Sequence, residues 1–242
     1  MNKVRIALVS AGSQKYPVDV SLLERRPSDL MTIRHAASIG HLPDATGSDW
    51  HYPDAQLGGL IQRESDSDIT VALINAPLEN NYYMRRLGNN VVVLSLYEMA
   101  EIIRAAHFTI EDYIVRNLYE ILVLFVAENR TIPLSAHTWA HDEVRGCLFD
   151  ISAYKPDIVF SMHRPTLCHS CRNRVLENQV DHHFLPLLEK ELRGLQKALF
   201  FRIEDWVKDH PLLALTCAAA ASIILNLIAS VLFEGAKACI SH

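Results

Sequence analysis

The sequence lacks the compact signatures of the common nucleotide and hydrolase sites. It has no GxxxxGK[ST] loop, no GxGxxG, no GxSxG and no kinase motif set, so neither phosphate cradling nor a serine nucleophile elbow is indicated. It also lacks a basic excess. Lys and Arg number 23 against 28 Asp and Glu, a formal charge of −5, which excludes a general basic field for holding nucleic acid. A secretory leader is missing from the start. Val4-Arg5-Ile6-Ala7-Leu8-Val9-Ser10 is too short for a signal core and carries Arg5. Cysteine is scarce, at five in 242 residues, and without an oxidising context a disulfide framework is not expected.

One segment lacks charge altogether. From Pro211 to Phe233 no Asp, Glu, Lys or Arg occurs, and about 20 such residues in a helix cross roughly 30 Å of hydrocarbon. A transmembrane helix is therefore predicted over 210–233, with Asp209 as a candidate N-cap, Pro211 in the first turn and Glu234, Gly235 and Lys237 at its end. Lys190, Arg193, Lys197, Arg202 and Lys208 precede it and only Lys237 follows. The positive-inside rule then places the N-terminal part in the cytoplasm and a short tail, 234–242, outside, as in a tail-anchored protein. Ala214, Ala218, Ser222, Asn226 and Ser230 recur every four residues within the span. Small residues with an in-register amide suit helix–helix contact in lipid, so a homo-oligomer through Ala218, Ser222, Asn226 and Ser230 is expected.

Before the anchor, residues 1–186 read as an α/β or α+β cytosolic domain. Val4–Ser10, Ile69–Asn75 and Asn90–Leu96 are β-branched runs bounded by turn formers, hence strands. A helix is expected around Ser28–Ser38, another over Tyr97–Ala106, and a longer one over Thr109–Glu128, where Thr109 and Asp112 form a capping pattern. Leu188, Leu192, Leu195 and Leu199 align one face of a predicted amphipathic stalk over 187–209. Tyr82-Tyr83-Met84-Arg85-Arg86 offers cations beside aromatics, suited to an anionic ligand or, more plainly, to a solvated helix start.

The chemistry concentrates in 137–171. Cys168-His169-Ser170-Cys171 is a CxxC, and two thiolates at that spacing grip one Zn²⁺ from a single turn. Cys147, after the freely turning Gly146, supplies a third. His141 is the first choice for a fourth ligand, then His137, then Asp142, with His163 and His169 nearer the CxxC in sequence. A thioredoxin-type redox role is disfavoured because no strand leads directly into a CxxC that opens a helix. His137 and His141 stand four apart, the spacing of a zincin helix, but Thr138 follows His137 where that motif has its glutamate. Acid/base work would fall to Asp142 or Glu143.

The stretch His141–Cys171 resembles the tail of archaemetzincin-type zinc peptidases. His141 and Cys147 stand six apart, like that family's last histidine and its CxM cysteine. Cys147-Leu148-Phe149 takes the place of CxM and Cys168–Cys171 that of the closing CxxC, after a spacer one residue longer. Where HExxH would fall the chain has Thr131-Ile132-Pro133-Leu134-Ser135, and Asp142 stands where the family has a cysteine. The resemblance covers about 30 residues. It implies a zincin-like fold that keeps a structural zinc and lacks a peptidase site.

Two functions are expected on these grounds. The first is a membrane-anchored, zinc-stabilised sensor, adaptor or effector that is not an enzyme, with Cys147, Cys168, Cys171 and His141 as ligands. The second is a membrane-tethered zinc hydrolase using His137, His141 and Glu143.

Overall fold

The computed structural model describes residues 2–135, 138–142, 146–151, 154–195 and 199–240. The chain divides into two compact units, Met1–Lys197 and Ala198–His242. The first is a mixed α/β unit built on a five-stranded sheet of order β2-β1-β3-β5-β4. β1 (Val4–Ala11) lies between β2 (Met31–Ile39) and β3 (Ile69–Ile74), all parallel, and β5 (Val91–Ser95) continues the parallel run. β4 (Met84–Gly88) pairs antiparallel to β5 at the edge.

Interior parallel strands are covered on both faces, so both of their side-chain rows must be apolar. Ile6 and Leu8 of β1, Val71 and Leu73 of β3 and Val92 and Leu94 of β5 enter one core. Val9 and Ala11, Ala72 and Ile74, and Val91 and Val93 enter the other. That double demand produces the uninterrupted apolar runs from which β1, β3 and β5 are legible in the sequence.

The edges differ. The helix expected at Ser28–Ser38 is strand β2. Met31 and Ile33 are buried while the alternating Thr32 and Arg34 are exposed, and β2 pairs on one side only, with β1. Pairing overrides the weak helical preference of Arg34 and the Ala36-Ala37 pair. The solvated helix start expected at Tyr82–Arg86 is largely strand β4. Asn89 and Asn90 both have φ near +50° and join β4 to β5 in a two-residue turn, a conformation that asparagine tolerates. Arg85 is already engaged: its Nε donates to Asp54 Oδ1 at 2.7 Å, and its guanidinium lies over the Tyr82 ring.

Helix α1 (Val20–Glu24) follows β1, α2 (Asp54–Leu60) follows β2, and α3 (Met99–Ala105) follows β5. α4 (Ile110–Ala127) is the central helix. Its start carries the expected capping box: Asp112 N–H donates to Thr109 Oγ1 at 3.0 Å and Thr109 N–H donates to Asp112 Oδ2 at 3.3 Å. Nearly every α4 side chain is buried, including Arg116, Asn117 and Glu120. α5 (Ile158–His163), α6 (His169–Glu177) and α7 (Phe184–Arg193) pack against it. The continuous stalk expected over 187–209 is divided. Leu188 and Leu192 of α7 are buried in the first unit, and α7 ends at Gly194.

The second unit contains α8 (Leu199–Asp209) and α9 (Pro211–Ile240), with His210 between them. Asp209 closes α8 instead of capping α9. Over Pro211–Ser230, α9 is long and apolar enough to cross a membrane, and none of that window is buried. The helix runs on through Glu234, Gly235 and Lys237. Charges end an apolar span, but Glu, Lys and Ala are good helix formers and do not end a helix. Ser222 Oγ donates to Ala218 O at 2.9 Å and Ser230 Oγ to Asn226 O at 3.0 Å. These serines are satisfied within their own helix, leaving the Asn226 amide as the polar group of that stripe with most to gain from a neighbour.

Candidate metal centre

Three short segments converge beside α4. The first is Thr138–Asp142. Its Trp139 is 1% exposed, donates from Nε1 to Glu128 Oε1 at 2.8 Å and packs on Phe149 with ring centroids 4.8 Å apart. The second, Gly146–Ile151, runs beside it: Ile151 N–H donates to His141 O at 2.9 Å. Gly146 has φ +81°, and a Cβ there would lie 3.1 Å from the Arg164 carbonyl oxygen. Only glycine meets both conditions without strain. The third segment pairs through Thr166, which donates to Gly146 O and accepts from Leu148 N–H. It then delivers Cys168 to the N-cap of α6 and Cys171 to its first turn. The CxxC therefore opens a helix. No named strand leads into it, and its thiols are joined by a third sulfur and an imidazole.

His141, Cys147, Cys168 and Cys171 each bring one ligand atom to within 4.8 Å of all the others. Tetrahedral bonds of about 2.3 Å to sulfur and 2.0 Å to nitrogen place a sulfur and a nitrogen roughly 3.5 Å apart. Cys168 Sγ and His141 Nε2 are 3.4 Å apart. The donor set thus fits one four-coordinate ion and could hold it.

The supports are equally specific. Asp150 Oδ1 lies 3.0 Å from His141 Nδ1, close enough to orient the ring with Nε2 toward the sulfurs. Asp150 Oδ2 accepts from Cys147 N–H at 2.9 Å. Cys168 N–H points at Cys147 Sγ, 3.4 Å away, and the N-terminus of α6 favours negative charge on the thiolates it carries. With only protons present, a hydrogen bond from Cys171 draws the Cys147 thiol down to about 5. The same contact pushes Cys171 well above the ordinary thiol range. One deprotonated sulfur is thus already favoured in a buried pair.

The remaining sequence candidates lie elsewhere. Asp142 is exposed, His169 is on the outer side of α6, and His163 stands edge-on to Phe108 at 5.2 Å. None belongs to the cluster. His137 and Glu143, the residues of the hydrolase alternative, lie outside the described residues. Sequence reasoning missed Asp150, because a single carboxylate carries no spacing signature of its own. It also missed an exposed trio, Asp181, His182 and His183, in the turn before α7.

Asp150→Asn is expected to weaken metal affinity about 10- to 100-fold, the usual effect of removing a carboxylate that orients a ligating histidine. An amide cannot accept from both His141 and Cys147 N–H through equivalent oxygens. Competition titration against a chromophoric chelator measures this, and unchanged affinity would show Asp150 to be dispensable.

A comparison of the chain with family models, with curated proteins and with solved structures finds no match.

Proposed function

We propose that this chain is a membrane-anchored module whose cytosolic α/β unit is stabilised by zinc, acting as a sensor, adaptor or effector and not as an enzyme. The observation that carries this reading is the convergence of His141 Nε2 with the sulfurs of Cys147, Cys168 and Cys171. Three thiolates and one imidazole favour Zn²⁺ over hard cations and fill a tetrahedron. A hydrolytic zinc keeps a position open for water. A closed sphere therefore argues against the tethered hydrolase, which would need His141 for a different set with His137 and Glu143. The zincin-like resemblance is part of the same proposal, supported by the way its cysteine and histidine spacing brings four ligands together.

X-ray absorption on the purified full-length protein tests the reading directly. Three sulfurs and one nitrogen around zinc are expected. A nitrogen- and oxygen-rich sphere with an open position would instead favour the hydrolase.

In this reading α9 spans the bilayer with the α/β unit on the cytoplasmic side, as the flanking basic residues favour. Oligomerisation within the membrane is supported by the stripe of Ala218, Ser222, Asn226 and Ser230. Because both serines bond within their own helix, Asn226→Leu and the bulky Ser222→Ile are the informative variants. The amide contributes about 1 kcal/mol, so Asn226→Leu is expected to lower association roughly five-fold in a two-hybrid assay for membrane helices. Equal signal from wild type and both variants would exclude this face.

A further inference from the structure

We propose that α8 lies flat in the surface of the bilayer, with Ile203, Trp206 and Val207 inserted at the boundary between headgroups and acyl chains. The inference rests on the reading of α9 as a span. At about 100° per residue, Ile203, Trp206 and Val207 fall within one arc of α8, while Glu204, Lys208 and Asp209 lie outside it. Ile203 is 52% exposed and Trp206 and Val207 are each 42% exposed, although such side chains in a folded protein ordinarily find cover.

Three features identify the cover. The 20 residues Pro211–Ser230 at about 1.5 Å each already match roughly 30 Å of hydrocarbon, so α8 is not needed inside it. Only His210 separates the two helices, which puts the apolar arc of α8 at the membrane surface. Tryptophan favours that depth, and a helix with one apolar and one charged face lies in the interface plane. The helix carries Arg202 and Lys208 against Glu204, Asp205 and Asp209, so it has no basic excess, and Lys208 Nζ lies 2.7 Å from Glu204 Oε1. Apolar burial therefore provides the attachment, and anionic lipid is not required.

The test uses full-length protein in phosphatidylcholine vesicles carrying a nitroxide either near the headgroup or near the chain end. The Trp206 signal is the difference between wild type and Trp206→Phe. It is expected to be blue-shifted and quenched more by the shallow nitroxide than by the deep one, with no change on adding phosphatidylserine or salt. Ile203→Trp in the Trp206→Phe background is expected to report the same depth. A helix standing along the membrane normal would put position 203 about 4.5 Å farther out and reduce its quenching, which would overturn the flat placement. An unquenched Trp206 in protein that survives a carbonate wash would mean that protein, whether this chain or a second copy, covers the face, and would overturn the inference while sparing the anchor. Protein released by the wash would overturn both.

Discussion

Removing the metal, or replacing Cys147, Cys168 or Cys171 by serine, is expected to collapse the packing of residues 138–171 and to lower the melting temperature of the first unit sharply. The reason is local. Between Thr138 and Leu167 the described chain has isolated bridges and short helices, but no strand in the main sheet. Its three converging segments are tied by few backbone hydrogen bonds, and their side chains meet at the four ligands. Cys147 is fully buried and Cys171 is 3% exposed, so neither sulfur can turn to water when the cation leaves. Structural zinc supplies about 10–16 kcal/mol of apparent binding free energy in small domains, which exceeds the whole stability of many of them. Here the sheet and α4 supply an independent core, so partial unfolding is expected, with protection lost first around Trp139, Phe149 and α6. His141→Ala should act in the same direction with a smaller effect, because three thiolates remain. Affinity should also fall as pH falls, since bound thiols must be deprotonated and the imidazole neutral. Metal content, together with melting curves with and without chelator, checks the expectation. A purified protein that holds no metal and melts identically in both conditions would sink the structural-site reading.

The contrast between what was and was not legible in the sequence has a physical pattern. Strands β1, β3 and β5 and helix α4 answer to burial on all sides, which writes long apolar runs into the sequence, and Thr109 with Asp112 marks the helix start by local hydrogen bonding. β2 and β4 lie at edges, where one neighbour and one wet face leave a shorter, mixed pattern. Thus Ser28–Ser38 reads as a helix until β1 is known to pair with Met31–Ile39. The division between α7 and α8 is hidden because both helices share a leucine period across 188–199, and only tertiary packing sets the buried Leu188 and Leu192 apart from the exposed apolar face of α8. At the candidate metal centre, the four residues that converge are legible because cysteine is rare and CxxC spacing is specific. Asp150 is not, because a single carboxylate carries no spacing signature until His141 folds against it. Arg116 and Glu120 belong to the same class. In sequence they look like an ordinary surface i,i+4 pair, and only the envelopment of α4 makes them buried.

That buried pair underlies the second large effect. Arg116 is 1% exposed and Glu120 is 5% exposed. The guanidinium binds the Glu120 carboxylate, donates to Asn117 Oδ1 at 3.0 Å and Ser161 Oγ at 3.0 Å, and reaches the Leu148 carbonyl at 2.6 Å. Leu148 adjoins Cys147, so this side chain ties α4 to the segment that carries part of the candidate metal centre. Burial pushes the Glu120 carboxyl above its ordinary range, and the Arg116 charge acts against that shift. Losing the guanidinium would leave the Glu120 carboxylate desolvated and without its counter-charge. Arg116→Met is therefore expected to cost about 3–5 kcal/mol, the usual penalty for breaking a buried pair from one side. Arg116→Met with Glu120→Leu removes both charges, and replacement by apolar groups of similar volume is often neutral. Most of the loss should return in that double variant, except what the Leu148 carbonyl, the Asn117 amide oxygen and the Ser161 hydroxyl forfeit as their donor disappears, about 1–3 kcal/mol for each group left buried and unpaired. Urea unfolding of the full chain in mild detergent, for wild type, both single variants and the double, gives the coupling between the two residues. A single Arg116→Met variant as stable as wild type would mean that the pair contributes nothing to holding the centre. A double variant no better than Arg116→Met would place the whole effect in the bonds to Leu148, Asn117 and Ser161 rather than in the stranded carboxylate.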